Sequence, residues 1–579
     1  MSNLVVTTAQ GAVRGLLRGA ARTFMNIPYA APPRGAGRFA PPRPHEPWDG
    51  VRDATTPGPN APQSERRLGN VDMSPYFGAG WSRGDDYLTV TVNTPAAGGE
   101  ALPVMVFVHG GGFVAGSTRA PMYDGSAFAR DGVVLVTLNY RLGIAGFLDL
   151  PGAPPNRGLL DVVAALRWVR QNIAAFGGDP GNVTLFGQSA GATIVGGVLA
   201  APSAAGLFRR AIVQSGSGLG AFSTEQAARV AKAAADVLGI EPHVDVFAGI
   251  PDERLVEAAS QLAGIDLRTE TRTDPLIGLS PFSLVLDTQP AEAVAAGPGA
   301  GVDLLVGTNA EEGNLYLVPV DTYATSTAAD VHATAARSHP SPERLVETYR
   351  RSRPGASHAE LRSAIMGDAL FGAGSRALAA AHAAHPGSGT YAYEFAWRSK
   401  ALDGELGAAH AVEVPFVFDL AHRPELNGPN ALLGPGQAPA DLATRVHETW
   451  IRFARTGDPG WTPYDTGRRA TMRIDTEWTQ HDDPPAPKNA RSGHDHHHRE
   501  RPPPCPHPCR RASARAPSCR SPASFPSTRR RARSSAPRSP SRPPRPCATW
   551  PPCWRRAARP GRTSSCSAST SPTPPTWPR

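Results

Sequence analysis

One serine stands at a spacing that suits covalent catalysis. Ser189 lies between Gly187 and Gly191 in the segment FGGDPGNVTLFGQSAG at 176–191. The apolar run 183–186 before it predicts a short buried strand, and the small and apolar residues after it predict a helix. A serine at such a strand–turn–helix corner is a nucleophile elbow, able to attack an acyl carbon. Because G-x-S-x-G also occurs by chance in many chains, this interpretation depends on partners elsewhere.

A glycine-rich segment that could stabilise negative charge precedes the serine. His109 begins the motif HGGGF, 80 residues before Ser189 and directly after a predicted strand. Glycines without Cβ atoms can turn several N–H groups toward one point, and an HGGG-type loop of this kind pairs with a G-x-S-x-G elbow. We expect the donors to a developing oxyanion to be the N–H groups of Gly111, Gly112 and Ala190. Either motif alone is weak, but the two together favour an acyl hydrolase.

Such a site also needs a histidine base and an acid that orients it, because serine is a weak nucleophile until an imidazole takes its proton. The sequence pattern alone leaves His382, His385, His410 and His422 as equal candidates for the base.

The elements that must position these residues alternate along the chain. Strands are predicted at 102–108, 133–140, 183–186, 211–216, within 302–313, and at 391–397. Helices are predicted at 157–175 and 441–459, and 223–300 and 325–385 read as largely helical. This alternation predicts an α/β fold, with a central, mostly parallel β-sheet flanked by helices on both faces.

The charge of the chain is divided unevenly between its two parts. The net charge of the 579 residues is +9, but 20 Lys and Arg against Asp495 and Glu500 give +18 from Pro485 onward, which leaves −9 for the rest. All six cysteines also lie in this last part, at 505, 509, 519, 547, 553 and 566. The acidic, cysteine-free body fits a soluble enzyme of a reducing compartment that needs no disulfides.

The last part has the composition of a tail. After Ile474 the sequence contains no Leu, Ile, Val or Met, and from about Pro484 it consists mainly of Pro, Arg, Ser and Ala. We therefore expect a disordered tail over 485–579, because such a composition cannot bury a core. The arginines could bind nucleic acid electrostatically, but the abrupt loss of branched aliphatics favours a frame-shifted end of the coding sequence. The cluster DHHH at 495–498 lacks the spacing of a structural metal site.

The N-terminus predicts no export or membrane insertion. The stretch MSNLVVTTAQGAVRG lacks a basic region followed by an apolar core, and no run of about 18 apolar residues occurs in the chain. We expect a cytoplasmic protein, with secretion by another route left open.

At this point the sequence resembles a known family. The segments FGGDPGNVTLFGQSAG and HGGGF are similar to those of the type-B carboxylesterase/cholinesterase family, which has the α/β-hydrolase fold, and in particular to bacterial para-nitrobenzyl esterases. Further similar segments are IPYAAPPRGAGRFAPPRPHEPWDGVRDAT, NYRLGIAGF, RGLLDVVAALRWVRQNIAAFGGDP and WTPYDTGRRATM. The resemblance covers roughly residues 3–484, which we take as one catalytic domain over 1–484.

The resemblance implies the two missing partners of Ser189. The family's acid lies in G-x-N-x-D-E-G, which matches GTNAEEG and points to Glu312, with Glu311 in place of the usual aspartate. The family's base lies in G-x-x-H-G-x-E-[IV]-P, which matches GAAHAVEVP and points to His410, with Ala411 in place of the usual glycine. The order Ser, Glu, His is that expected for this fold.

The mechanism implied is ester cleavage through an acyl-enzyme intermediate, on a small-molecule ester, with no cofactor and no metal. Tyr87 stands where the family often has a disulfide-bonded cysteine, so the loop around Trp81 is not stapled, and substrate preference is open. Phe113, Trp81, Phe282 and Phe416 are candidates for a pocket wall or for plain core.

Three alternatives remain at this stage. The same triad could cleave a carbamate or an amide. The chain could be a catalytically silent scaffold, which the presence of all three triad residues disfavours. The tail could make the enzyme a nucleic-acid binder, although we expect no nucleic-acid or membrane partner and a monomer, with a homo-oligomer as the other option.

Overall fold

The computed structural model describes residues 4–98 and 100–482. The strands in this part of the chain are β1 (Val5–Thr7), β2 (Ala12–Arg14), β3 (Leu16–Arg18), β4 (Ala21–Pro28), β5 (Val51–Asp53), β6 (Thr89–Pro95), β7 (Leu102–Val108), β8 (Val134–Leu138), β9 (Gly178–Gln188), β10 (Arg210–Gln214), β11 (Asp303–Asn309), β12 (Thr390–Phe395), β13 (Thr471–Ile474) and β14 (Thr479–His481). The predictions for the tail over 485–579 and for the DHHH cluster lie outside the described residues, and the domain boundary stays a prediction.

The helices of the same residues include many short turns and a few long segments. They are α1 (Ser74–Phe77), α2 (Ser126–Arg130), α3 (Gly143–Phe147), α4 (Arg157–Asn172), α5 (Ala190–Leu199), α6 (Thr224–Leu238), α7 (Val244–Phe247), α8 (Asp252–Gln261), α9 (Pro290–Ala295), α10 (Asn314–Leu317), α11 (Ala328–Ser338), α12 (Pro342–Ser352), α13 (His358–Gly367), α14 (Ala373–Ala383), α15 (Val414–Val417) and α16 (Ala440–Thr456). A π-helical turn at Asp368–Gly372 joins α13 to α14. Within the described residues, none of these helices is both long enough and apolar enough to cross a bilayer.

Eleven of the described strands form one sheet in the order β14-β13-β12-β11-β10-β9-β7-β8-β6-β4-β3. The block from β8 to β13 is parallel throughout, and the strands outside it pair antiparallel. β1, β2 and β5 form a separate small sheet. The prediction of a central, mostly parallel sheet flanked by helices is confirmed.

Two hydrophobic cores lie on the two faces of this sheet. Along β7, Val104, Val106 and Val108 pack into one core, while Met105 and Phe107 pack into the other. This alternation follows from the two-residue repeat of a strand, and both faces are apolar because helices cover both. The first core includes α4 and α5, and the second includes α15 and α16. The buried sheet thus gives the site a rigid support.

The strand before the serine is longer than predicted. β9 begins at Gly178, so the Asp-Pro-Gly turn at 179–181 lies inside the strand and not before it. The pairing with β7 shifts between Leu102 and Val104, so an irregularity in the ladder accommodates the additional residues of β9. The prediction of the helix at 157–175 is confirmed by α4 and the turn that follows it.

Candidate active site

Ser189 occupies the corner between β9 and α5 with a strained backbone. Its φ is 59° and its ψ is −126°, a conformation that residues other than glycine rarely adopt. The neighbouring glycines are required by space: a Cβ on Gly187 would lie 2.7 Å from the carbonyl carbon of Gly191, and one on Gly191 would lie 2.1 Å from the oxygen of Val108. The predicted nucleophile elbow is therefore present at the carboxyl end of a central strand.

His410 and Glu312 form a buried pair beside this corner. The Nδ1 atom of His410 lies 2.6 Å from the Oε2 atom of Glu312, and the side chains are only 4% and 3% exposed. Since a carboxylate only accepts hydrogen bonds, Nδ1 carries the hydrogen and Nε2 of the neutral ring keeps its lone pair. The side-chain amide nitrogen of Gln188, the residue before Ser189, lies 3.4 Å from that Nε2. Ser189 and His410 line the same pocket, and among the described residues no hydrogen bond joins the Ser189 hydroxyl to the ring.

Glu312 is held in place by two donors on its second oxygen. Oε1 accepts a hydrogen bond from the Ser215 hydroxyl at 2.5 Å and one from the Asn309 backbone N–H at 2.7 Å. Ser215 follows β10 directly and has a φ of 51°, so a second strained residue at the sheet edge helps to fix the carboxylate. The sequence reasoning did not identify Ser215, because the strand predicted over 211–216 included it, whereas β10 ends at Gln214.

The two substitutions noted in the sequence meet at the loop that carries His410: Ala411 belongs to this loop, and Glu311 binds it from the loop that carries Glu312. Ala411 has a φ of 74°, the left-handed region, which costs a residue with a Cβ about 1–2 kcal/mol. The carboxylate of Glu311 accepts a hydrogen bond from the N–H of Ala408 at 2.8 Å and pairs with Arg398. Glu311 thus fastens the start of this loop, and Ala411 takes the conformation that favours glycine.

The glycine loop lies against the same pocket. Gly111 and Gly112 have φ values of 109° and 63°, and Gly111, Gly112, Ser189, Ala190 and His410 all line the pocket. Among residues 4–98 and 100–482, no acceptor takes a hydrogen bond from the N–H groups of Gly111, Gly112 or Ala190. Three N–H groups are therefore available to a ligand beside Ser189.

His109, the first residue of this motif, is buried away from the reacting groups. Its ring stacks on Tyr140 with centroids 4.5 Å apart, and burial lowers its pKa to about 4. We assign it a packing role.

The pocket has a mainly apolar lining. Phe113, predicted to be either pocket wall or plain core, is part of that lining. Trp81, Phe282 and Phe416 are not part of it. Phe282 and Phe416 are buried in the two cores, and the ring of Trp81 lies under Arg83 at 4.2 Å. The lining that the sequence did not identify includes Arg66, Tyr76, Phe77, Leu276, Leu279, Tyr316 and Phe371.

The loop around Trp81, which lacks the family's disulfide, is fastened by an amide. The side chain of Asn60 donates to the carbonyl of Gly80 at 2.8 Å and accepts from the N–H of Ser82 at 2.6 Å.

The other candidate histidines have structural surroundings. His382 lies 2.7 Å from the Thr390 hydroxyl and 2.8 Å from the Val302 carbonyl. His385 contacts backbone carbonyls, and His422 is exposed. Of the four histidines left open by the sequence, the pocket therefore includes His410 alone. No group of three or more His, Cys, Asp or Glu within the described residues could hold a metal ion, and the absence of a cofactor stays a prediction.

Behind the pair, Glu413 is fully buried. Its carboxylate accepts a hydrogen bond from the Asn309 side chain at 2.7 Å, and a longer one from Gln214 at 3.4 Å. Burial, followed by the charge of Glu312, raises the pKa of Glu413 to about 7.

Comparison with known proteins agrees with this geometry. The profile of the carboxylesterase family matches residues 2–491, most of the chain. The chain belongs to the carboxylesterase family. Its relatives include a para-nitrobenzyl esterase of Bacillus subtilis (strain 168), 36% identical over 84% of this chain and 98% of the relative. A phenmedipham hydrolase of Pseudarthrobacter oxydans is 33% identical, over 79% of this chain and 90% of that protein. A fumonisin B1 esterase of Sphingopyxis macrogoltabida is 35% identical, over 79% and 82%.

Solved structures of carboxylesterases share the fold. A para-nitrobenzyl esterase structure has a TM-score of 0.71 at 35% identity and covers 83% of this chain and 97% of its own. The carboxylesterase of Geobacillus stearothermophilus at pH 6.2 has a TM-score of 0.72 at 35% identity and covers 83% and 98%. The predicted α/β-hydrolase fold is confirmed, and as a carboxylesterase the protein is a carboxylic ester hydrolase. This assignment argues against the catalytically silent scaffold.

Proposed function

We propose that this carboxylesterase cleaves small-molecule esters by a Ser-His-Glu triad. Ser189 is the nucleophile, His410 the general base and acid, and Glu312 the residue that fixes the imidazole tautomer. The observation that carries the proposal is the 2.6 Å contact of Glu312 with His410, which lines the same pocket as Ser189.

The reaction would proceed in two steps. Nε2 of neutral His410 takes the proton of Ser189 as the hydroxyl oxygen attacks the ester carbonyl, and the imidazolium then protonates the departing alcohol. Water, deprotonated by the same ring, attacks the acyl-enzyme and releases the acid. Glu312 stabilises the imidazolium that forms in both steps.

The negative oxygen of each tetrahedral intermediate would be held by N–H groups of Gly111, Gly112 and Ala190. The observation that supports these donors is that none of the three N–H groups has an acceptor among the described residues. A substrate oxygen would therefore not have to displace a protein partner. The apolar lining would take the hydrocarbon part of the acyl or alcohol group. The enzyme is proposed to act as a monomer, without nucleic acid or membrane.

The experiment is hydrolysis of p-nitrophenyl esters from acetate to decanoate by the wild type, Ser189→Ala and Ser203→Ala. Ser203 is an exposed serine outside the pocket and serves as the matched control. We expect Ser189→Ala to lower kcat/KM by about 10⁴-fold or more, and Ser203→Ala to leave it unchanged. Equal rates for the two variants would refute the role of Ser189.

Two further substrates address the alternative of carbamate or amide hydrolysis. A p-nitrophenyl carbamate and a p-nitroanilide are offered at the same concentrations. If kcat/KM for the carbamate or the anilide exceeded that for the ester, carbamates or amides would be the preferred substrate class.

A further inference from the structure

The pocket contains one arginine that the ester-cleaving reaction does not use. Arg66 lines it together with Gly112, Ser189 and His410. Among the described residues, this lining includes no Asp or Glu and no second Lys or Arg. Arg66 therefore supplies a positive charge to a wall that is otherwise apolar or neutral.

Arg66 has no anionic partner in the described part of the chain. No hydrogen bond or ion pair joins its guanidinium to residues 4–98 or 100–482, and its close contact is the ring of Phe77, with the centroid 5.7 Å from Cζ. The next residue differs: Arg67 is exposed and pairs with Glu65 at 2.9 Å.

The fully buried arginines Arg141 and Arg157, unlike Arg66, have acceptors for their guanidinium groups among the described residues. Arg141 pairs with Asp161 through two nitrogens, at 2.7 and 2.8 Å. Arg157 donates to four backbone carbonyls. Arg66 is only partly buried, so water can satisfy its donors in the free enzyme, and a ligand that displaces this water has to supply the acceptors.

The segment that carries Arg66 is anchored on both sides. Gln63 accepts a hydrogen bond from the N–H of Gly116 at 2.9 Å and donates to its carbonyl at 3.0 Å, which ties the segment to the glycine loop. On the other side, the N–H of Asn70 donates to the carbonyl of Pro319 at 2.7 Å. These anchors hold the guanidinium beside the glycine loop, where a Cβ on Gly112 would lie only 3.3 Å from Nη1.

Arg66 is partly buried, and this partial loss of hydration of the charged form lowers its pKa. An anion in the pocket would offset this cost, and a carboxylate can accept two parallel hydrogen bonds from a guanidinium.

We propose that Arg66 binds a carboxylate of the substrate, so that the enzyme prefers esters whose acyl or alcohol part carries a carboxylate. This inference rests on the proposed function of the same pocket. The other role open to Arg66 is packing against Phe77, and that role predicts no preference for charge.

The test compares each anionic ester with a neutral ester of the same shape. For the acyl side, the substrates are the monoethyl esters of succinic, glutaric and adipic acid, each beside its ω-amide. For the alcohol side, they are para-acetoxybenzoate and para-acetoxybenzamide. The quantity measured is the ratio of kcat/KM for the carboxylate to kcat/KM for the amide, in the wild type, Arg66→Met, Arg66→Lys and Arg67→Met.

We expect a wild-type ratio of about 10 or more in at least one of the two series, since a hydrogen-bonded charge pair contributes that much discrimination. Arg66→Met should lower the ratio about tenfold or more. Arg66→Lys should keep part of it because it keeps the charge. Arg67→Met, which removes a neighbouring exposed charge, should leave the ratio unchanged.

The outcomes separate this inference from the proposed function. Turnover of the neutral amides with a wild-type ratio near 1 in both series would overturn the inference and leave ester hydrolysis standing. A high ratio that persists in Arg66→Met would overturn the role of Arg66. Absence of turnover on every ester would overturn the proposed function and this inference together.

Discussion

The imidazole ring of His410 lies flat against the ring of Phe371, with centroids 4.2 Å apart and an angle of 7° between the planes. Phe371 belongs to the π-helical turn at Asp368–Gly372, an uncommon conformation that is frequent at functional sites. Tyr316 lies near both rings, at 5.8 Å from His410 and 6.4 Å from Phe371. The imidazole of His410 is thus fixed by a hydrogen bond at its edge and by an aromatic ring on its face.

Removal of the ring from Phe371 should loosen the base and enlarge the pocket. We expect Phe371→Ala to lower kcat for p-nitrophenyl butyrate by about 10-fold or more, since small displacements of a catalytic group are costly. The preference should also shift toward bulkier acyl groups, because Phe371 lines the pocket. Phe371→Leu, which keeps most of the volume, serves as the control. Identical kinetics for Phe371→Ala and the wild type would contradict a positioning role.

The carboxylate of Glu312 should be needed for its charge as well as its shape. In Glu312→Gln the amide nitrogen would face Nδ1 of His410 if the bonds from Ser215 and Asn309 were kept, which favours the wrong tautomer. We expect kcat to fall by about 10²–10⁴-fold while KM changes little. Glu311→Gln, the same change one residue earlier, should cost far less. Equal losses in the two variants, measured with the same ester, would argue against the assignment of the acid.

Glu413 should make stability fall as pH rises. Its pKa is raised from 4.5 to about 7, so between these values the folded chain keeps a proton that the unfolded chain has released. The contribution of protonated Glu413 to the free energy of unfolding is fully present below about pH 4.5 and is lost as pH rises through about 7. Glu413→Gln should remove this dependence and raise the unfolding free energy at pH 8 by about 1–3 kcal/mol relative to the wild type.

The measurement is the difference in Tm between Glu413→Gln and the wild type from pH 4.5 to 8. We expect the difference to grow with pH. Glu405→Gln, an exposed site in the same region of the chain, is the control and should show a constant difference. A difference for Glu413→Gln that does not vary with pH would show that folding does not shift the pKa of this carboxyl.

The buried pair of Arg141 and Asp161 should be a stability determinant. Both side chains are 0% exposed, and Arg141 also donates to backbone carbonyls at 38 and 40. Asp161→Asn would leave the guanidinium without a counter-charge, at a cost of about 3–5 kcal/mol. Lys232→Met breaks an exposed pair with Asp236 and should cost less than about 1 kcal/mol. Thermal unfolding of the two variants would contradict this account if their Tm values were equally lowered.

The sequence predicted those parts of the site that local geometry dictates. The corner at 187–191 and the loop at 109–112 require glycines at fixed positions, so they are visible as motifs. The histidine base could not be predicted in this way. Sequence spacing left four histidines as equal candidates, and the resemblance to a family selected His410. Its partner Glu312 is 98 residues away in the chain, and no local pattern encodes such a pairing.

The parts that the sequence missed come from tertiary packing. Phe371 lies on His410 because a π-helical turn directs it there, and the helical pattern of 325–385 contains no sign of that turn. Arg66 reaches the pocket from an irregular segment held by Gln63 and Asn70. The aromatic residues Phe282 and Phe416 were candidates by type, but an irregular segment and α15, respectively, bury them in the two cores.

The central claim, that His410 activates Ser189, is tested most directly by covalent trapping. The protein is treated with diisopropyl fluorophosphate, whose phosphorus is attacked by an activated serine with loss of fluoride, and the adduct is mapped by mass spectrometry of peptides. We expect one adduct per chain on Ser189, none in Ser189→Ala, and labelling slowed by orders of magnitude in His410→Gln. An active wild-type enzyme that carries its adduct on another residue, or that labels equally fast without His410, would contradict the account.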